Sequence, residues 1–132
     1  MASVLIVDDS SATRIQLRNL LEPHGHICYE AIHGLDALEK LGRQKVGLII
    51  CDLNMPEMDG IEFVERQSLE EGLKDIPTIM CTTETINRKS EAGKELYEKV
   101  KNTGVVKAWI VKPVTPTKAA LILKYLEDNI SN

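Results

Sequence analysis

Cysteine is scarce, with three in 132 residues. Cys28, Cys51 and Cys81 are scattered, odd in number and without CxxC spacing, which excludes a disulfide framework as an organising device. All three fall in apolar, strand-like stretches, the pattern of buried free thiols in a reducing cytoplasm. Long hydrophobic runs are missing too: none approaches the roughly 20 residues of a membrane-spanning helix. The opening Val4-Leu5-Ile6-Val7 stops at Asp8-Asp9, too short for the apolar stretch of a signal peptide, and it lacks a basic start. Basic excess is also lacking. The net charge of −4 argues against general nucleic-acid binding. No repeat, low-complexity tract or linker interrupts the chain. What is present is 43% hydrophobic residues, enough at this length for one domain (residues 1–132) with a real core.

Strand-like and helix-like patterns alternate five times. Val4–Val7 reads as a strand and Ser10–Leu21 as a helix, with Ser10 or Ser11 as N-cap and Ala12, Ile15, Leu20 and Leu21 as its inner face. Pro23 and Gly25 stop that helix. Ile27–Ala31 is a more polar strand, suited to an edge, and Gly34–Leu41 a short helix. Val46–Cys51 is wholly apolar, as a strand buried on both faces must be. Ile61–Glu71 is a helix with Phe63, Val64 and Leu69 available for packing. Pro77–Cys81 is the fourth strand. Residues 86–102 read as a helix with a thin stripe of Ala92, Leu96 and Val100. Val105–Val111 is the fifth strand. Thr115–Asn129 is the last helix, with Pro116 in its first turn and Ala120, Leu121, Leu123 and Leu126 facing inward. Five βα units in series predict right-handed crossovers and an α/β fold of three layers, α/β/α, around a five-stranded parallel sheet.

The polar residues worth singling out follow strands. Asp8 and Asp9 follow the first, Asp52 the third, Thr82 and Thr83 the fourth, and Lys112 the fifth. In a sheet of order 2-1-3-4-5 those carboxyl ends converge beside the switch point between strands one and three. Each residue alone has a plainer explanation: capping for Asp8-Asp9, backbone satisfaction for Thr82, a surface lysine for Lys112. Together they press three carboxylates into one place. Two carboxylates about 5 Å apart repel by roughly 3 kcal/mol at an effective dielectric near 20. A divalent cation relieves that repulsion, and carboxylate oxygens with a carbonyl and waters are the ligands Mg2+ prefers. A carboxylate nucleophile, a metal, a hydroxyl and a lysine are the parts phosphoryl transfer needs. His24, His26 and His33 lie near loops without ligand spacing and read as solvated. Trp109 and Tyr97 suit either the core or a partner surface.

Four stretches carry a family resemblance: Val4-Leu5-Ile6-Val7-Asp8-Asp9-Ser10, Asp52 with Met55-Pro56-Glu57-Met58-Asp59-Gly60, Pro77-Thr78-Ile79-Met80-Cys81-Thr82, and Val111-Lys112-Pro113. In this order they span almost the whole chain. The sequence resembles the receiver domain of two-component response regulators, whose fold is flavodoxin-like, or CheY-like. The resemblance implies a stand-alone, cytoplasmic, monomeric regulator whose Asp52 takes a phosphoryl group from phosphohistidine on a sensor histidine kinase or phosphotransfer protein. It implies Mg2+ held by Asp9 and Asp52 directly, by Asp8 through water, and by the main-chain carbonyl of Asn54. Thr82, Thr83 and Lys112 would contact the phosphoryl oxygens, and Lys112–Pro113 would be cis. Thr82 and Trp109 would form the switch, remodelling the face of helix 4, strand 5 and helix 5 for a downstream protein. Asn54 and Glu84 resemble the pair that tunes dephosphorylation in chemotaxis members.

The chain departs from that pattern in Trp109, where Tyr or Phe is usual, and in a longer span from Glu84 to Trp109. Thr85–Gly104 is expected to form a loop or frayed turn up to about Ser90, then a helix anchored by Leu96 and Val100. Two rivals remain at this point. A Mg2+-dependent aspartyl-phosphate phosphatase would want D-x-D after the first strand, whereas Asp8-Asp9 is contiguous. A flavodoxin-like cofactor binder would offer hydroxyls, not two acids, to a flavin phosphate.

Overall fold

Five strands alternate with five helices in a computed structural model that describes residues 1–83 and 87–130. In chain order these are β1 (Ser3–Val7), α1 (Ser11–Leu21), β2 (Ile27–Ala31), α2 (Gly34–Leu41), β3 (Leu48–Cys51), α3 (Gly60–Ser68), β4 (Thr78–Thr82), α4 (Glu91–Thr103), β5 (Val106–Val111) and α5 (Pro116–Asn129). All strand pairs are parallel, in the order β2-β1-β3-β4-β5. The polar strand β2 is at an edge, and the wholly buried β3 is central. Among the described residues no helix is long and apolar enough to cross a membrane.

Period-2 alternation along the strands divides the core in two. Leu5, Val7, Ile49, Cys51 and Met80 face one layer and meet Ala37, Leu41, Phe63, Val64 and Val100 of α2, α3 and α4. Val4, Ile6, Leu48, Ile50, Ile79 and Cys81 face the other and meet Leu17, Leu21, Ile122 and Leu126 of α1 and α5. All three cysteines are buried and free. Burial pushes the thiols of Cys28 and Cys81 up to about 11 and that of Cys51 well above its ordinary value, so none is a ready thiolate.

Several expected helix faces are corrected. In α1 the buried positions are Leu17 and Leu21, with Leu20 half-buried; Ala12 and Ile15 point outward. In α5 they are Ala119, Ile122 and Leu126, with Leu123 half-buried, whereas Ala120 and Leu121 are exposed. The run Ala119–Leu123 is apolar on every side, so its composition does not choose a face; contact with the sheet does. α3 ends at Ser68, three residues early, and leaves Leu69 exposed.

α4 starts at Glu91 rather than residue 86, because Ser90 caps it by accepting the Gly93 N–H at 3.0 Å. Its inner stripe runs Gly93, Leu96 and Val100, with Ala92 exposed. Ahead of it, Asn87–Ser90 is a turn closed by Ser90 N–H and Oγ on the Asn87 carbonyl. The expected turn-then-helix arrangement is therefore present from Asn87 onward. Glu84, Thr85 and Ile86 lie outside the described residues. Two histidines are not simply solvated. His33 Nδ1 caps α2 by accepting the Asp36 N–H at 3.1 Å, and His26 Nδ1 accepts the Ala2 N–H at 3.1 Å.

Candidate functional site

The site is built where the sheet ladder runs one residue past its strands. Asp8 N–H donates to the Ala31 carbonyl at 3.0 Å, Asp52 N–H to the Val7 carbonyl at 2.9 Å, and Lys112 N–H to the Thr82 carbonyl at 2.9 Å. The ends of β1, β3 and β5 are thereby each pinned to a neighbouring strand, and all lie at one edge of the sheet. The peptide Lys112–Pro113 is cis.

Asp8 is buried, and its carboxylate is fully engaged. Oδ1 accepts the Ser10 N–H at 2.8 Å and Oδ2 accepts Lys112 Nζ at 2.8 Å. Asp52 is nearly as buried; its Oδ1 accepts the Leu53 N–H at 2.8 Å, and its Oδ2 lies 3.4 Å from the same ammonium. Lys112 therefore bridges the two acids. Asp9, one residue on, is exposed. One carboxylate oxygen from each of Asp8, Asp9 and Asp52 lies within 4.8 Å of the others. This all-oxygen, carboxylate-rich set, two acids buried and one exposed, fits a hard divalent cation such as Mg2+.

The two partners of the ion pair respond differently to burial. Burial raises the Asp8 carboxyl; the hydrogen bonds from Lys112 and Ser10 pull it back, and the Asp52 charge adds to the rise. Burial works to lower the Lys112 ammonium, but the Asp8 hydrogen bond and the charges of Asp8 and Asp52 outweigh it and leave it above the usual lysine value. Asp8 is thus held up mainly by burial, while the two acids beside Lys112 keep its ammonium charged.

Thr82 ends β4 and is buried, Thr83 beside it is exposed, and Asn54 is exposed two residues after Asp52. Trp109 pairs in register with Met80 on β4 and is half-buried against the α2–α3–α4 side of the core. Tyr97 is half-buried on α4 under the Arg88 guanidinium, 4.6 Å from the ring centre.

The turn after Asp52 explains its glycine. Gly60 N–H donates to the Leu53 carbonyl at 2.7 Å, and a Cβ on Gly60 would overlap the Asp52 carbonyl oxygen. Asp59 then caps α3 by accepting the Glu62 N–H at 2.8 Å. Sequence reasoning missed Arg14, whose Nη1 donates to the Asp8 carbonyl at 2.7 Å while its Nε donates to Glu30 Oε1 at 2.7 Å. The only signal was an arginine one turn into the helix that follows the acid pair.

The geometry has close counterparts. The pattern that defines the response regulator receiver domain matches residues 4–120. The chemotaxis protein CheY homolog of Campylobacter jejuni is 41% identical over 127 residues, 95% of this chain and 89% of that protein. Chemotaxis protein CheY1 of Helicobacter pylori is 40% identical over 115 residues, 86% of each chain. The solved structure of the chemotaxis response regulator CheY4 of Vibrio cholerae superposes with a TM-score of 0.80 at 33% identity, covering 96% of this chain and 98% of that one. Neither a phosphatase nor a flavin binder accounts for strand order, acid cluster and sequence likeness together, and the chain belongs to the response regulator receiver domain family.

Proposed function

We propose that this receiver domain is a single-domain, phosphorylation-controlled signalling protein with Asp52 as phospho-acceptor and Mg2+ as cofactor. The observation that carries the reading is the cluster of Asp8, Asp9 and Asp52, bridged by Lys112 at the end of a parallel sheet. Asp52 Oδ1 is held by the Leu53 N–H at 2.8 Å, and Oδ2, in the longer 3.4 Å contact with Lys112 Nζ, is the attacking oxygen. A lone pair on Oδ2 forms the bond to phosphorus as the donor's N–P bond breaks. The histidine of the kinase or phosphotransfer protein keeps that electron pair and takes up a proton. Asp8, Asp9, Asp52 and the main chain of Asn54 would hold Mg2+, which supplies charge neutralisation for the phosphoryl oxygens.

Lys112 is the cation poised to pair with the transferred group, with Thr82 and Thr83 as its hydroxyl partners. The chemistry is limited to the domain's own phosphoryl acceptance and hydrolysis. Movement of Thr82 toward the phosphoryl group would free or trap Trp109 across the β4–β5 pair, and so remodel the face of α4, β5 and α5 for a downstream protein. The chemotaxis relatives support an output in chemotaxis, and the same reading takes the protein to be cytoplasmic and monomeric. Beryllofluoride, an acyl-phosphate mimic, tests this directly through Trp109 fluorescence. A saturable change that needs Mg2+ and is lost in Asp52→Asn is expected; a response without Mg2+, or one retained in that variant, would overturn the reading.

A further inference from the structure

We propose that Arg14 is a positioning residue of the acidic site, fixing the Asp8–Asp9 peptide through the Asp8 carbonyl while Glu30 aims its guanidinium. The proposal rests on the reading of Asp8, Asp9 and Asp52 as a divalent-cation site.

Every polar group of Asp8 has a partner. Its N–H goes to Ala31, Oδ1 to Ser10, Oδ2 to Lys112, and its carbonyl accepts from Arg14. Of these, the Lys112 bond is the one a bound cation would displace; the other three are frame. The peptide held by Arg14 leads into Asp9. A peptide is planar, so fixing its oxygen fixes the direction in which the Asp9 Cα leaves it. Asp9 itself is exposed, and its carboxylate is aimed by the backbone that carries it.

Arg14 is well placed for this task. It sits in the first turns of α1, with its N–H on the Ser10 carbonyl at 3.1 Å and its side chain only 15% exposed. Glu30 on β2 neighbours Ala31, the residue that accepts the Asp8 N–H. β2 therefore anchors Asp8 twice, directly through Ala31 and by way of Glu30 through Arg14. Because Glu30 offsets the guanidinium charge at 2.7 Å, Arg14 acts on the carboxylates by geometry more than by field. Lysine cannot replace it. One ammonium on a flexible stem lacks the rigid fork that reaches Glu30 and the carbonyl together. Arg18 is a natural control. It grips the other oxygen of Glu30 at 2.8 Å and Glu22 at 2.7 Å, so it serves the same α1–β2 clasp, yet no bond joins it to Asp8.

The test is the Mg2+ dissociation constant of the full chain by calorimetry, with urea denaturation of each variant alongside. Arg14→Lys and Arg14→Met should each weaken Mg2+ binding by about tenfold, and Arg18→Met by less than about twofold. Wild-type affinity in Arg14→Lys would show that charge alone matters and overturn the proposal. So would equal weakening in Arg18→Met, which would make the clasp a matter of stability only. Should Arg14→Met fail to fold, the Arg14→Lys and Arg18→Met pair still decides. If wild type itself takes up no Mg2+, the cation-site reading fails first and this inference with it.

Discussion

Lys112 and Asp52 are joined at 3.4 Å, yet they should answer oppositely to removal. Asp52 has one cation and two carboxylates near it, and Lys112 keeps its 2.8 Å bond to Asp8 when the Asp52 charge is gone. Asp52→Asn should therefore stabilise the metal-free protein by about 1 kcal/mol. Lys112→Ala removes the bridging cation from two buried acids and should cost about 3 kcal/mol without metal. Most of that cost should return on adding Mg2+, because the ion takes over the neutralisation. Urea midpoints with and without Mg2+ measure both. A metal-free Asp52→Asn less stable than wild type would contradict the picture of a repulsive cluster. The meeting of Asp8, Asp52 and Lys112 was legible in the sequence because each directly follows an apolar run. Arg14 was not, because its role runs through a backbone carbonyl, and a sequence pattern carries no record of where a carbonyl points.

At the scale of single elements, two positions separate propensity from packing. Gly93 lies inside α4, where helix propensity alone says alanine should gain about 1 kcal/mol. The structure says otherwise, because a Cβ there would overlap the Asn87 carbonyl oxygen and crowd Ser90 Oγ at 2.8 Å. Gly93→Ala should destabilise the protein by about 1–3 kcal/mol, seen as a lower urea midpoint. The clasp between α1 and β2 makes a prediction about pH. Burial pushes the Glu30 carboxyl up, but Arg14 and Arg18 outweigh it and hold it below the usual carboxylate value. An acid lowered in the folded state stabilises the fold above its unfolded pKa, and that contribution fades as pH falls through the folded one. Glu30→Gln should thus be less stable than wild type at neutral pH, and the gap should close as pH falls below the ordinary carboxylate range. Denaturation midpoints at several pH values check this; a constant gap would contradict it. Element order and type were readable because short continuous apolar runs, the mark of strands buried on both faces, alternate with longer stretches of period 3.6. Helix faces were less so: in α5 the uniformly apolar Ala119–Leu123 run hides its phase, and in α1 the outward Ile15 mimics a core position.

At the scale of the whole molecule, the parallel sheet turns distant sequence positions into neighbours. Lys112 meets Asp8 across 104 residues and Asp52 across 60, because β1, β3 and the β4–β5 pair end at one edge. Nothing local would place them together, and the strand order is what makes five βα units a site rather than a list of turns. The central claim is that this edge accepts a phosphoryl group on Asp52, with Mg2+. The most direct measurement is to incubate the protein with a small acyl phosphate, trap the aspartyl phosphate, a mixed anhydride, by borohydride reduction, and map the modified residue by peptide mass spectrometry. The account predicts modification at Asp52 alone, dependent on Mg2+ and absent in Asp52→Asn. Modification at Asp8 or Asp9 instead, or equal labelling without Mg2+, would contradict it.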